Sequence, residues 1–534
     1  ENVNYAQIPY SENDTEAHRK TALKAAQESI VLLKNSNQIL PLKRDLKTIA
    51  VIGPNANDER VMFGNYNGTP SEAITPLEGI KNKVLAETNV LYTKGCNWVT
   101  KSNKLQLVTH NLLFMGEKNG LRAEYFNNRT LSGEPLFVRH DKIFDFNWSK
   151  NSPKELKTSE DFSVRWTGKI SVPETAKYLF SITADDGFRL YIDNKLVLDS
   201  WRNQPLTSMQ NEVDMIGSKK YDIKIEYYQA GEDASLKFEY AMVSDYDPFN
   251  EAVEIASKSN VVIFFGGISP SLEGEDMPVN FDGFYRGDRT KIDLPAIQDS
   301  LLKRLYKTGK PIILVLMSGS ALAVNWAEEN ISAILQTWYP GEEGGNAIAD
   351  ILFGDYNPSG KLPVTFYKSV NQLPPFEDYN MKGRTYKYFE GDVLYPFGFG
   401  LSYSTFQYSN LQMPSEINVG DSLIVNIDVR NASSIEGDEV VQLYVNTKNS
   451  NYTVPIRSLQ GFQRLHLKDG ETKKITFVLK PKQMSLVDNN GNRRIEPGTL
   501  TISVGSGQPG LLQKFNIASV SSKLEMKGKF LLID

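Results

Sequence analysis

Six carboxylates and two guanidinium groups crowd one stretch of 25 residues, SPSLEGEDMPVNFDGFYRGDRTKID (269–293). They are Glu273, Glu275, Asp276, Asp282, Asp288 and Asp293, with Arg286 and Arg289 among them. Like charges held close disfavour one another's ionisation. That lifts a carboxyl toward the range a general acid needs near neutral pH. The chemistry suggested is proton transfer at a breaking bond. The competing reading is a solvated acidic loop with Asp288 and Arg289 as a structural salt bridge. Residue content alone leaves both open.

Other chemistries find less support. Glu342 and Glu343 precede GGNAIADILFG (344–354), where carboxylates suit the positive end of a helix, so capping is the expected role. Gly344 and Gly345 fit close helix–sheet packing, and no GxxxxGK[ST] occurs to bind phosphate. Met317-Ser318-Gly319-Ser320 lacks GxSxG spacing, which argues against a serine nucleophile. The four histidines (His18, His110, His140, His466) are dispersed, so no metal site is expected. Cys96 is the single cysteine, which forbids an intrachain disulfide. Net charge is −5 with both signs spread evenly, so no nucleic-acid partner is expected. No apolar run reaches the roughly 20 residues that span a bilayer.

The elements around the acidic stretch alternate between two textures. Thr15 could cap a helix over residues 15–34, carrying Ala22, Ala25, Ala26, Ile30 and Leu33 at helical spacing. TIAVIGP (48–54), VLYTKGC (90–96), VVIFFGG (261–267), PIILVLMSG (311–319) and AILQTWYPG (333–341) read as buried parallel strands. LPAIQDSLLKRLYKTG (294–309) and GGNAIADILFG (344–354) read as helices. Between Gly120 and Tyr240, and again after about residue 403, apolar and polar residues alternate with short turns between runs, the pattern of all-β sandwiches.

The expected fold is therefore multidomain, α/β plus all-β. An α/β sandwich with a mostly parallel sheet occupies 1–112 and 246–402, interrupted by an inserted β-sandwich at 113–245. A second β-sandwich fills 403–534. The acidic stretch leaves the carboxyl end of a strand, where ligands bind in open α/β sheets, and it is far longer than an ordinary βα connection.

Ten segments, in this order, are similar to glycoside hydrolase family 3 from just after its catalytic barrel to its end. They are ESIVLLKN (28–35) with LPL (40–42), VIGPNA (51–56), GNYNG (64–68), TPLEGI (75–80), YTKGC (92–96), PIILVLMSG (311–319), YPGEEGGNAIADILFGDYNPSGKLPVTF (339–366), and GRTYKYF with YPFGFGLSYSTF (383–406). The inserted block resembles a protective-antigen-type carbohydrate module through GLRAEYFNN (120–128), Asp185-Asp186-Gly187 and FRLYIDNKLVLDSW (188–201). The tail resembles a fibronectin type III-like domain.

Members of that family are retaining exo-β-glycosidases. An aspartate nucleophile sits on a (β/α)₈ barrel, and a glutamate acid/base reaches over from the α/β domain. In xylosidase-like members this loop reads E-x-E followed by Asp-Arg. Here it is Glu273-Gly274-Glu275, then Asp288-Arg289 after the longer MPVNFDGFYRG. The resemblance implies Glu275 as acid/base, with Glu273 as runner-up, and Arg289 and Trp201 as candidates for binding substrate. It implies no cofactor. The substrate implied is an oligosaccharide or aryl glycoside, a β-D-xyloside first, with β-glucoside and α-L-arabinofuranoside as alternatives.

The sequence opens without Met at ENVNYAQIPY and is expected to begin part-way through a longer protein whose barrel portion is its partner. A bacterial periplasmic or secreted location follows from family habit only, and a homo-oligomer is left open. The competing class is a non-catalytic carbohydrate-binding or structural fragment, in which Trp201, Tyr227 or Tyr228 would stack on sugar faces instead of filling a core. Asp185-Asp186 is similar to calcium sites of the sandwich superfamily, with a structural turn as the expected role.

Overall fold

Runs such as Val261–Gly267 carry no polar face, and the chain buries them on both sides. The computed structural model describes residues 3–99, 105–156, 160–231, 233–243, 249–277, 279–447, 452–511 and 515–533. These fall into two units, Glu1–Thr100 with Pro248–Asp534, and Lys101–Asp247.

In the first unit six strands form one sheet: β1 (Val31–Asn35), β2 (Thr48–Ile52), β3 (Asn89–Thr93), β4 (Val261–Gly267), β5 (Ile312–Met317) and β6 (Ala333–Gln336). Their order is β1–β6–β5–β4–β2–β3. All neighbours are parallel except β1, which joins β6 antiparallel. Successive side chains point to opposite faces. Ile49, Val51, Ile263 and Val315 thus share one core with the helices α1 (Glu16–Ser29), α2 (Pro76–Lys83) and α6 (Gly344–Phe353). Ala50, Ile52, Phe264 and Leu316 share the other with α3 (Asn250–Ser257), α4 (Ala296–Tyr306) and α5 (Asn325–Asn330). The result is helix–sheet–helix layering. On the first face α2 and α6 meet closely: a Cβ on Gly345 would lie 2.2 Å from the Thr75 carbonyl oxygen, so only glycine fits there.

The expectation of one helix over 15–34 is corrected. Thr15 does cap α1, its hydroxyl accepting the His18 backbone N–H at 3.3 Å, but the helix stops at Ser29. Ile30 through Leu33 are buried without interruption, and Val31–Asn35 forms the sheet edge β1. A helix would have turned part of that apolar run to water.

The second unit holds an eight-stranded and a five-stranded antiparallel sheet around one aromatic core, which includes Trp148, Phe162, Trp166, Phe180 and Tyr227. It begins earlier than residue 113, because Gln106–Leu107 pairs with Tyr240 and Glu239 as a sheet edge. From Phe406 the chain forms a three-stranded and a five-stranded sheet enclosing Val425, Ile427, Leu443 and Ile502. This part is fastened to the α/β layers. Arg464 donates to Ser359 Oγ at 2.5 Å, and Gln442 donates to the Gly398 carbonyl at 2.9 Å. Among the described residues no helix is long and apolar enough to cross a membrane.

Candidate active site

The acidic crossover starts from a braced strand end. At the carboxyl end of β4 the Gly267 N–H donates to Gln298 Oε1 at 2.8 Å, and Gln298 Nε2 returns to the Gly267 carbonyl at 2.7 Å. Asn55 Nδ2 reaches the Gly266 and Ile268 carbonyls at 3.3 and 3.2 Å, while Trp98 Nε1 donates to Asn55 Oδ1 at 2.5 Å. Asn55 and Gln298 are fully buried, and neither stood out in the sequence.

The crossover then folds back on itself. Ser269 accepts the Leu272 and Glu273 backbone N–H groups at 2.9 and 3.3 Å, forming a tight turn. The stretch that lengthens the E-x-E to Asp-Arg gap is a small three-stranded meander: Asn280–Phe281, Phe284–Tyr285 and Asp288–Arg289. Leu272, Val279 and Phe284 sink into the core and anchor it. The meander returns Gly287 to Gly274, whose N–H donates to the Gly287 carbonyl at 3.1 Å. Gly287 has φ +90°, and a Cβ there would stand 1.9 Å from the Gly274 carbonyl oxygen.

This frame gives the two glutamates different surroundings. Glu273 is half-buried, and its Oε1 accepts the Ser320 hydroxyl at 2.7 Å. Arg289 Nη1 donates to the same Ser320 oxygen at 2.9 Å and to the Ala321 carbonyl at 2.8 Å. Burial lowers the Arg289 guanidinium, and the charge of Glu273 opposes that effect. Burial pushes the Tyr339 phenol up, and Glu273 pushes it further. Arg289 Nε and Nη2 and the Tyr339 hydroxyl are buried with no hydrogen-bond partner among the described residues. Glu275 is exposed, and its Oε2 accepts the Tyr66 hydroxyl at 2.8 Å. The adjacent Asn65 Nδ2 donates to the Glu273 carbonyl at 2.7 Å. A cleft of about 770 Å³ opens beside Tyr66, between residues 59–78 and Pro270, Ser271 and Met277.

The other charged residues disperse. Arg289 does not face Asp288, because neighbours on a strand point to opposite sides. Asp282 pairs with Lys291 at 2.5 Å. Asp276 and Arg286 are exposed at the loop surface with φ of +44° and +53°. Glu343 stands at the N-cap of α6, the expected place for a carboxylate, but its side chain makes no capping bond to the helix backbone. Its Oε2 accepts the Asn346 side-chain amide at 2.7 Å. Ser320, set aside as a nucleophile, reappears as the link between Glu273 and Arg289. Among the described residues no group of three His, Cys, Asp or Glu side chains is placed to hold a metal ion.

In the second unit, Trp201 is partly buried, with the Arg189 guanidinium 4.7 Å from its ring centroid and Tyr228 edge-on at 4.8 Å. Tyr227 is buried against Trp148, and Tyr228 donates to Asn203 at 2.8 Å. Asp186 is a turn residue at φ +65°. Its buried carboxylate accepts backbone N–H groups of Gln204, Ala230 and Gly231 at 3.2, 2.6 and 3.4 Å.

Residues 30–403 match the glycosyl hydrolase family 3 C-terminal domain, and residues 439–508 match a fibronectin type III-like domain. The chain is 39% identical over 520 residues to a xylan 1,4-beta-xylosidase of Xylanibacter ruminicola, covering 94% of this chain and 58% of that protein. It is 29% identical over 507 residues to a periplasmic beta-glucosidase of Salmonella typhimurium, covering 92% and 49%. Among solved structures, the Kluyveromyces marxianus beta-glucosidase in complex with glucose aligns with TM-score 0.60 at 28% identity, covering 98% of this chain and 63% of that one. The chain thus spans about half to three fifths of the length of the curated relatives it matches.

Proposed function

The chain belongs to glycoside hydrolase family 3, and from that premise we propose that it supplies the general acid/base of a retaining, exo-acting β-glycosidase. Glu275 takes that role, and the nucleophilic carboxylate stands on a barrel outside these 534 residues. The observation that carries the assignment is the unequal state of the two glutamates. Glu273 is engaged by Ser320 and stands against the buried Arg289, which suits holding the loop. Glu275 is exposed beyond it, with a single phenol donor among the described residues. A proton carrier must reach its substrate and exchange with solvent, and only the second position allows both.

In the first step Glu275 gives its proton to the glycosidic oxygen as the barrel carboxylate attacks the anomeric carbon. The old C–O bond breaks and the aglycone leaves as an alcohol. In the second step the Glu275 carboxylate takes a proton from water as the water oxygen attacks that carbon. This frees the sugar and the nucleophile. Arg289, buried behind Glu273, acts on the loop and not on sugar.

The substrate proposed is a β-D-xyloside, supported by 39% identity to the xylan 1,4-beta-xylosidase against 29% to the beta-glucosidase. A higher kcat/KM on an aryl β-glucoside than on the matching β-xyloside would overturn that choice. Export is proposed from the periplasmic relative. The carbohydrate-binding reading of the inserted unit gains little, since Arg189 lies over the Trp201 ring and Tyr227 and Tyr228 are buried.

The experiment is Glu275→Ala in the barrel-bearing enzyme. Expected is a kcat/KM loss of about 10²–10⁴-fold on glycosides with poor leaving groups, with azide trapping the intermediate as the β-glycosyl azide. The same pattern in Glu273→Ala, with Glu275→Ala near wild type, would reassign the role.

A further inference from the structure

Tyr66 holds a backbone conformation that bulky residues rarely adopt. Its φ is +61°, in the left-handed region that bulky residues avoid, and its side chain is 89% exposed. Neither burial nor glycine-like freedom explains the residue. Backbone strain of this kind persists where contacts over-determine it, and such sites are often functional. Two contacts do so here, one on each side of Gly274. Asn65 Nδ2 donates to the Glu273 carbonyl at 2.7 Å, and the Tyr66 hydroxyl donates to Glu275 Oε2 at 2.8 Å. A Cβ on Gly274 would stand 2.5 Å from Asn65 Nδ2, so a side chain there would push the Asn65 amide out of its place. The GNYNG loop and the acidic crossover are therefore latched at adjacent points.

We propose that Tyr66 is a positioning residue that holds one carboxyl oxygen of Glu275, so that the other meets the leaving-group oxygen of the substrate. The proposal rests on the acid/base reading of Glu275. It adds that the aim of the acid is set from a different loop, 209 residues away in sequence. The phenol donor also favours the carboxylate that forms as the proton departs, so its contribution grows toward the transition state.

The test uses leaving groups in the barrel-bearing enzyme. A 2,4-dinitrophenyl glycoside departs without protonation, whereas a phenyl or alkyl glycoside needs the acid. Tyr66→Phe is expected to lower kcat/KM on phenyl and alkyl glycosides about tenfold, mainly in kcat, and to leave the dinitrophenyl substrate unchanged. Tyr66→Ala should show the same dependence, and melting temperatures should stay at wild type because the side chain is solvent-exposed. An equal loss on every leaving group, or no loss on any, overturns the proposal. Glu275→Gln is the control that separates the two claims. A steep leaving-group response there with a flat one in Tyr66→Phe sinks the role of Tyr66 alone. A flat response in Glu275→Gln sinks the acid/base reading and the positioning role with it.

Discussion

Ser320 donates its hydroxyl proton to Glu273 Oε1 at 2.7 Å, across 47 residues of sequence. That contact commits Glu273 to the interior, where Arg289 donates to the same Ser320 oxygen. Removing the Glu273 carboxylate takes from a largely buried guanidinium the strongest opposite charge acting on it, leaving Asp293. Glu273→Ala is therefore expected to destabilise the first unit by about 2–3 kcal/mol. Glu275→Ala, at an exposed position, should stay within about 0.5 kcal/mol of wild type. Urea unfolding of residues 1–534 checks the contrast, and equal midpoints for the two variants would contradict it.

Gly287 closes the meander against Gly274. Its φ of +90° strains any side chain, and a Cβ would overlap the Gly274 carbonyl oxygen at 1.9 Å. Gly287→Ala should cost about 2–3 kcal/mol. It should also pry Glu275 from its place, so activity falls with stability. A variant with wild-type melting temperature and wild-type kcat/KM would show that the close approach does not govern the loop.

What the sequence revealed and what it hid divide by locality. β2, β4, β5 and β6 were legible because a strand buried on both faces writes itself as one apolar run. The acidic crossover was legible because 25 residues between a strand and a helix is a rare length. β1 was missed because its partner lies far along the chain, Val31 opposite Gln336. Nothing local distinguishes its apolar run from the end of a helix. The Ser320 and Tyr66 contacts were missed for the same reason, since each joins loops remote in sequence. GNYNG stood out as a motif, but its spacing carries no hint that the tyrosine reaches Glu275.

Glu328 gives a pH signature outside the site. Burial lifts its carboxyl, while the Tyr395 hydroxyl donating to Oε2 and the charge of Lys34 pull it down, and the net shift is upward. A raised carboxyl contributes stability below the unfolded-state value, and that contribution disappears as pH rises through the folded-state value. Glu328→Gln keeps an acceptor for Tyr395 and removes the buried charge. It should melt higher than wild type near pH 7.5, with the gain shrinking toward about pH 4. A gain that is constant over this range, or a loss at pH 7.5, would contradict the sign of the shift.

The chain by itself should hydrolyse nothing. A retaining mechanism places two carboxyl groups about 5–5.5 Å apart, one on each side of the scissile bond. The partner must stand across a sugar ring from Glu275. Within the crossover Glu273 is bound inward to Ser320, and Asp282 is paired with Lys291. Neither is placed to attack an anomeric carbon opposite Glu275. An acid without a nucleophile gives at most a small enhancement on an activated substrate. Purified 1–534 is therefore expected to leave 4-nitrophenyl β-xyloside and β-glucoside intact at the limit of detection, and addition of the barrel portion in trans should restore turnover. Hydrolysis by 1–534 alone that is lost on Glu275→Ala would mean that both carboxylates lie within this chain, and the division of labour proposed here would have to be abandoned.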